Sequence, residues 1–227
     1  KGDIQKTMWG IFFEDINMGA DGGIYAELVK NRSFEFYRPL MGWKVNQKNF
    51  REGAVLVMNR KANDSANPRF IRVTAAGGSK GDFGMTNEGF RGMGIKKDLR
   101  YDFSVQYRQV NPGIKMHVEL VDSTGMVLGG TTVATDAPDT NWHKATASFT
   151  ANATVMRAKM NLWFEGSGVI DLDMVSLFPS DTWKNRPGGL RADMVQKLAD
   201  LKPGFIRFPG GCIVEGFDLS QRYQWKK

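Results

Sequence analysis

The 227-residue sequence predicts a mainly β protein: a jelly-roll β-sandwich inserted into the first βαβ unit of an incomplete (β/α)8 barrel. Two observations predict the sandwich. Period-2 alternation of apolar and polar residues recurs in several short segments, and clusters of turn residues separate them. One observation predicts the host unit. An apolar strand stands at the front of the chain, and an amphipathic helix followed by a second apolar strand stands at the back.

The elements follow in order. Residues 1–36 open on a strand from Met8 to Phe13, in which Ile11, Phe12 and Phe13 run straight into Glu14 and Asp15. A glycine loop follows, then "GIYAELVKN", which places Ile24, Leu28 and Val29 on one side of a short helical stretch. Residues 37–179 alternate. In "YDFSVQYR", Tyr101, Phe103, Val105 and Tyr107 oppose Asp102, Ser104, Gln106 and Arg108. "IKMHVEL" and "MRAKMNLWF" repeat the pattern, and "VNPG", "DSTG" and "EGSG" read as the turns between such strands. The length and pattern suit a jelly roll. In residues 180–227, Leu190, Met194, Leu198 and Leu201 recur at helical spacing, and Pro203-Gly204 stop the helix. "FIRFPGG" then reads as a buried parallel strand that breaks into glycines. A lone βαβ unit cannot bury both faces of its strands, so the two ends are expected to belong to a larger barrel.

Composition narrows the function classes. Hydrophobic residues make up 41% and charged residues 24%, ordinary for a globular chain. No apolar run approaches the roughly 18 residues that span a bilayer, so no membrane role is expected. The net charge is +7, but Lys and Arg are scattered among acids without a basic stripe, which argues against nucleic acid. The opening "KGDIQKTMWG" has no apolar signal core, which fits a mature form or a cytoplasmic chain. Cys212 stands alone, so no internal disulfide framework is expected. His117 and His143 lie too far from other ligand-type clusters to suggest zinc.

In α/β barrels the working residues follow the C-terminal ends of the strands. Here those positions hold Glu14 and Asp15 after the first strand and "PGGCIVEG" after the second, with Arg207 just ahead of them. Carboxylates, a guanidinium and close-approach glycines can together grip a polyhydroxyl ligand by charge-assisted hydrogen bonds. A structural Arg-to-Glu pair across neighbouring strands is the competing reading.

The stretch "MWGIFFEDINMGADGGIYAELVKNRSFE" resembles the opening of glycoside hydrolase family 51, the α-L-arabinofuranosidases. "NRPGGLRADMVQKLADLKPGFIRFPGGCIVEG" and the terminal "RYQWKK" look like that family's first helix and second strand. The middle zone is similar to carbohydrate-binding module families 4 and 9, on "NRSFE" followed by Trp43 and on the last strand "GVIDLDMVSLFP". The resemblance implies a retaining enzyme that removes terminal arabinofuranosyl groups from arabinan or arabinoxylan, without a catalytic cofactor. It also implies sugar contacts from Glu14 and Arg207 and a place for Cys212 where many members carry asparagine. Met18 stands where histidine is expected. No catalytic residue is expected in this chain. Retaining catalysis needs two carboxyls about 5–5.5 Å apart, and the family's pair sits on later strands, so the chain alone is expected to be inactive and to need the remainder of the barrel. Glu215 is read as a loop residue.

For the sandwich, the resemblance implies a structural calcium ion shared by Glu35 and Asp173, since Ca²⁺ takes carboxylate oxygens from separate segments. Alternation turns Trp163 outward, and with it Asn161, His117, Glu119, Gln106 and Arg108 are expected to form one glycan platform. Packing of Trp163 against the barrel is the alternative. Two further readings remain: a non-catalytic carbohydrate-binding protein and a family 51 endoglucanase. Secretion or a periplasmic location, and association with a second copy, complete the expectations.

Overall fold

The computed structural model describes residues 2–49, 51–60, 67–136 and 139–222. The strands run, in chain order, β1 (Ile11–Phe12), β2 (Trp43–Gln47), β3 (Gly53–Asn59), β4 (Arg69–Ala76), β5 (Phe83–Asn87) and β6 (Met93–Ile95). They continue as β7 (Arg100–Asn111), β8 (Ile114–Val121), β9 (Val127–Val133), β10 (His143–Thr150), β11 (Val155–Pro179) and β12 (Ile206–Arg207). The helices are α1 (Ala192–Asp200) and α2 (Cys212–Glu215). Among the described residues no helix is long and apolar enough to cross a membrane.

Two compact units result: residues 27–180, and residues 1–26 with 181–227. The first is the jelly-roll sandwich. Its front sheet has the order β2-β5-β11-β8-β9 and its back sheet the order β3-β4-β11-β7-β10, all antiparallel. β11 belongs to both. Its first part pairs with β5 and β8 through residues such as Leu162, and its second part pairs with β4 and β7 through residues such as Leu172.

That corrects the reading of "EGSG" as a turn. The chain runs through residues 165–168 as strand, bending at Gly166, whose φ is +92°. Backbones also crowd there. A Cβ on Gly166 would lie 2.4 Å from the Gly113 carbonyl oxygen, so glycine is required. The predicted alternation otherwise holds except at Met156, expected inside with Ala158 and Met160 but 82% exposed beside the register shift between Val155 and Ala158. Tyr101, Phe103, Val105 and Tyr107 are buried, as are Met116, Val118, Leu162 and Phe164, and they share one core.

The sandwich begins earlier than residue 37. Phe34 is fully buried against Trp43, with ring centroids 5.7 Å apart, and Val29 joins the same core. The helix expected over "GIYAELVKN" is not formed. The Leu28 N–H donates to the Leu177 carbonyl at 3.0 Å, and Glu27 reaches Ser176 and Leu177, so tertiary partners replace the helical ones.

In the other unit β1 pairs in parallel with β12, Ile11 opposite Ile206 and Phe12 opposite Arg207. The strand expected from Met8 shortens to Ile11–Phe12. α1 lies between them in sequence, its start and stop close to expectation. Lys202 at φ +50° and Pro203 behind it end the helical path. The arrangement is strand, helix, parallel strand, with the sandwich inserted after the first strand.

Candidate functional site

The parallel pairing fixes the first candidate site. The Phe13 N–H donates to the Arg207 carbonyl at 2.9 Å and the Asp15 N–H to the Pro209 carbonyl at 3.0 Å, so the two chains leave the pair side by side. Glu14 and "PGGC" therefore meet at the C-terminal end of both strands. The Gly211 N–H donates to Glu14 Oε1 at 3.3 Å. A Cβ on Gly210 would fall 2.9 Å from Glu14 Cγ, so only glycine lets this backbone reach the carboxylate side chain. The Arg207 guanidinium stands 4.8 Å over the Phe12 ring, its register partner. The Cβ position of Gly211 lies 3.8 Å from Glu14 Oε1 and 3.9 Å from Arg207 Nη2, which puts carboxylate and guanidinium around one glycine.

The rest of the expected set arranges itself around this centre. Asp15 turns Oδ1 back to the Ala20 N–H at 3.1 Å and closes its own loop. Cys212 starts α2 with an exposed free thiol. Met18 is exposed at φ +63°, a loop position. Glu215 ends α2 and is exposed. A carboxylate acceptor, a guanidinium donor and a peptide N–H at one spot can bind sugar hydroxyls. The terminal "RYQWKK" lies, from residue 223 on, outside the described residues.

The second candidate is the outer face of the front sheet. Trp163 packs against Gly84, where a Cβ would sit 2.5 Å from the indole. Its Nε1–H donates to Glu119 Oε1 at 2.6 Å. His117, directly opposite on β8, bonds Glu165 at 3.0 Å and Thr132 at 2.9 Å. Asn46, Thr86, Asn161 and Glu119 form one hydrogen-bonded row across four strands. Asn161 and Glu119 nonetheless are buried at 8% and 5% exposure, so they support the platform more than they face outward. Burial pushes the Glu119 carboxyl up, but its bonds to Lys80, Trp163 and Asn161 outweigh this and hold it below the usual range. Sequence reasoning misses Gly84 and Lys80, although a glycine inside "FGMTN" is the mark of a close approach.

Gln106 and Arg108 do not share that face. β7 pairs with the second part of β11, so they lie on the back sheet. There Asp171, fully buried, is gripped by Arg72 at 2.7 Å and by Arg108. Trp142 meets Phe70 edge-on at 5.4 Å, and Arg60 and Arg108 stand over its ring at 4.7 Å and 5.2 Å.

The calcium pair does not fit a cation in this arrangement. Burial raises the Asp173 carboxyl. Arg60 at 2.7 Å and Asn67 at 2.8 Å already occupy its Oδ2. Glu35 Oε1 accepts the Arg69 N–H at 2.6 Å. Among the described residues no group of three or more His, Cys, Asp and Glu side chains is placed to hold a metal. A guanidinium beside a carboxylate repels the ion the resemblance implied.

Comparison with known proteins places these two candidates in context. A family model described as carbohydrate binding domain matches residues 26–168, most of the chain and nearly all of the sandwich. The chain belongs to the carbohydrate binding domain family. A second model, Alpha-L-arabinofuranosidase 1 domain, matches residues 197–227, which include Arg207 and Cys212. An extracellular exo-alpha-L-arabinofuranosidase of Streptomyces chartreusis is 38% identical over 98% of this chain and 27% of its own length. Alpha-L-arabinofuranosidase 1 of Arabidopsis thaliana is 35% identical over 99% of this chain and 34% of its own. The solved structure of arabinose-bound MgGH51 α-L-arabinofuranosidase superposes with a TM-score of 0.83 at 32% identity, covering 98% of this chain and 37% of that one. The likeness to family 51 arabinofuranosidases thus runs through both units, and the chain spans about a third of the length of the relatives it matches.

Proposed function

We propose that this chain is part of a retaining α-L-arabinofuranosidase in which Glu14 and Arg207 hold the terminal arabinofuranosyl residue of arabinan or arabinoxylan. The observation that carries the reading is their convergence: the Glu14 carboxylate, the Gly211 N–H and the Arg207 guanidinium gather at the C-terminal end of the parallel pair. Strand ends of that kind are where α/β barrels bind their substrates. Glu14 accepts hydrogen bonds from sugar hydroxyls, Arg207 donates them, and Cys212, a weak hydrogen-bond former, lines the pocket by shape.

Double displacement needs an acid/base and a nucleophile carboxyl about 5–5.5 Å apart. We place both on further strands of the barrel, in the larger share of the relatives that this chain does not match. The 227-residue chain then binds sugar without turning it over. Incubation with p-nitrophenyl α-L-arabinofuranoside tests this: no nitrophenol release is expected. Release would put the reacting carboxyls in this chain, with Glu14 and Glu215 first in line. In the full-length protein Glu14→Gln is expected to lower kcat/KM by about 10- to 100-fold, the loss of one charge-assisted hydrogen bond; an unchanged kcat/KM would refute the assignment.

A second role belongs to the sandwich. The indole of Trp163, packed on Gly84 and bordered by Glu119, His117 and Lys80, supports a glycan platform on the front sheet. Secretion is proposed as well, supported by the extracellular relative from Streptomyces chartreusis.

A further inference from the structure

A groove of about 810 Å³ opens on the sandwich, lined by Tyr37, Arg38, Pro39, Leu40, Met41 and Val57, none of which belongs to the two candidate sites. Its position follows from the topology. β2 is the edge strand of the front sheet and β3 the edge strand of the back sheet, and both come early in the chain. The groove lies where the segment leading into β2 meets β3. Val57 pairs with the core residue Ile71 and so shares its face, yet at this edge it is 38% exposed.

The segment that forms one wall is held rigidly from below. Asn31 is 4% exposed and sits at φ +55°, and its side chain makes three bonds. Nδ2–H donates to the Pro39 carbonyl at 2.8 Å and to the Met41 carbonyl at 3.1 Å, and Oδ1 accepts the Phe36 N–H at 3.1 Å. The Trp43 indole N–H closes on the Asn31 carbonyl at 3.1 Å, and Leu40 packs on the core. Two reverse bonds, Met41 N–H to Arg38 carbonyl at 2.8 Å and Trp43 N–H to Leu40 carbonyl at 2.9 Å, tighten the loop. On this fixed base Tyr37 is 94% exposed. A large aromatic held open to water by a preorganised loop is free to take a ligand, and the fixing lowers the entropy lost on binding.

We propose that this groove is a second glycan site of the sandwich, in which a sugar ring of an extended, neutral oligosaccharide stacks on Tyr37 and Arg38 donates to its hydroxyls. The chemistry matches the lining. A sugar ring has an apolar face for the phenol and a belt of hydroxyl acceptors for the guanidinium. Val57, Met41 and Pro39 supply the apolar floor. The groove is open, so a chain can enter and leave it without an end being read. The inference rests on the carbohydrate-binding reading of the sandwich and extends it from one face to two.

Calorimetric titration of the chain with short arabinoxylo-oligosaccharides tests it, using the wild type, Tyr37→Ala, Tyr37→Trp and Trp163→Ala. Besides the equivalent held by Glu14 and Arg207, the wild type is expected to take up two on the sandwich, one at Trp163 and one at Tyr37. Tyr37→Ala should lose one of them, its affinity there falling about tenfold or more, as for loss of a binding hot spot. Tyr37→Trp should retain it, and Trp163→Ala should leave it in place. An unchanged melting temperature for Tyr37→Ala confirms that the fold is intact. If Tyr37→Ala binds as the wild type does while Trp163→Ala loses binding, the groove is refuted and the front-sheet platform stands. If the wild type takes up no sugar, the carbohydrate-binding reading falls and the groove falls with it.

Discussion

The two units of this chain bury themselves very differently. Of the buried hydrophobic residues among the described ones, Ala26 alone belongs to residues 1–26 and 181–227, and all the others belong to the sandwich. The strand–helix–strand unit instead leaves Phe12, Phe205, Ile206 and Phe208 more than half exposed, and α1 has no buried residue. Folding is driven by apolar burial against chain entropy. The sandwich therefore carries its own stability, whereas the unit that brings Glu14 to Arg207 has the hydrogen bonds of a barrel without the burial that stabilises one.

That contrast sets the order of expected effects. Phe103→Ala cuts the sandwich core and should cost about 3–5 kcal/mol in urea unfolding, with the whole cooperative transition moving. Glu27→Gln comes next. Burial lifts the Glu27 carboxyl from 4.5 to about 7, against hydrogen bonds from Leu177, Ser176 and Val29 and the charge of Arg32. The folded state thus holds a proton that the unfolded state releases near pH 4.5. The stability this gives is full below pH 4.5 and is lost as pH rises to 7, a change on the order of 3 kcal/mol. In the Gln variant that part of the pH dependence should vanish from urea midpoints taken between about pH 4.5 and 8. An equally steep profile would show that Glu27 is not its source.

Smaller effects mark the other unit. Leu198→Ala, in a helix with nothing buried, should cost less than about 1 kcal/mol, within the range of surface substitutions. A loss as large as that of Phe103→Ala would mean that α1 is packed as a core element. The smallest expected effect is none: excess chelator should leave the melting temperature of the sandwich unchanged, because Arg60 and Arg69 already occupy Asp173 and Glu35. A fall in melting temperature that calcium reverses would restore the metal.

What the sequence revealed follows the same division. Alternation in residues 101–108 and 114–120 is a local property of each strand, and it named the buried side chains before any fold was known. Which sheet a strand joins is not local. Arg108 and His117 carry the same outward signature, yet β7 and β8 pair with different parts of β11 and face opposite ways. "EGSG" has the composition of a turn, and only the crowding of Gly166 on Gly113 shows it to be a bend within one strand. "GIYAELVKN" has helical spacing, but the buried Glu27 and the bond from Leu28 to Leu177 outweigh a propensity worth tenths of a kcal/mol per residue. Glu14 and Arg207 were legible because parallel strands end together. The Tyr37 groove was not, since it is made by the segment leading into β2 and by β3, which come together only in the folded sandwich.

Amide hydrogen exchange, read residue by residue on the monodisperse chain, tests the contrast most directly. The amides of Ile11, Phe13 and Asp15, which bond across to the second strand, should exchange at least about a hundredfold faster than those of Phe103, Val105, Val118 and Leu162, because local opening without burial is cheap. Equal protection in the two sets, in a monomer, would contradict the account: the strand pair around Glu14 and Arg207 would then be as well held as the sandwich itself.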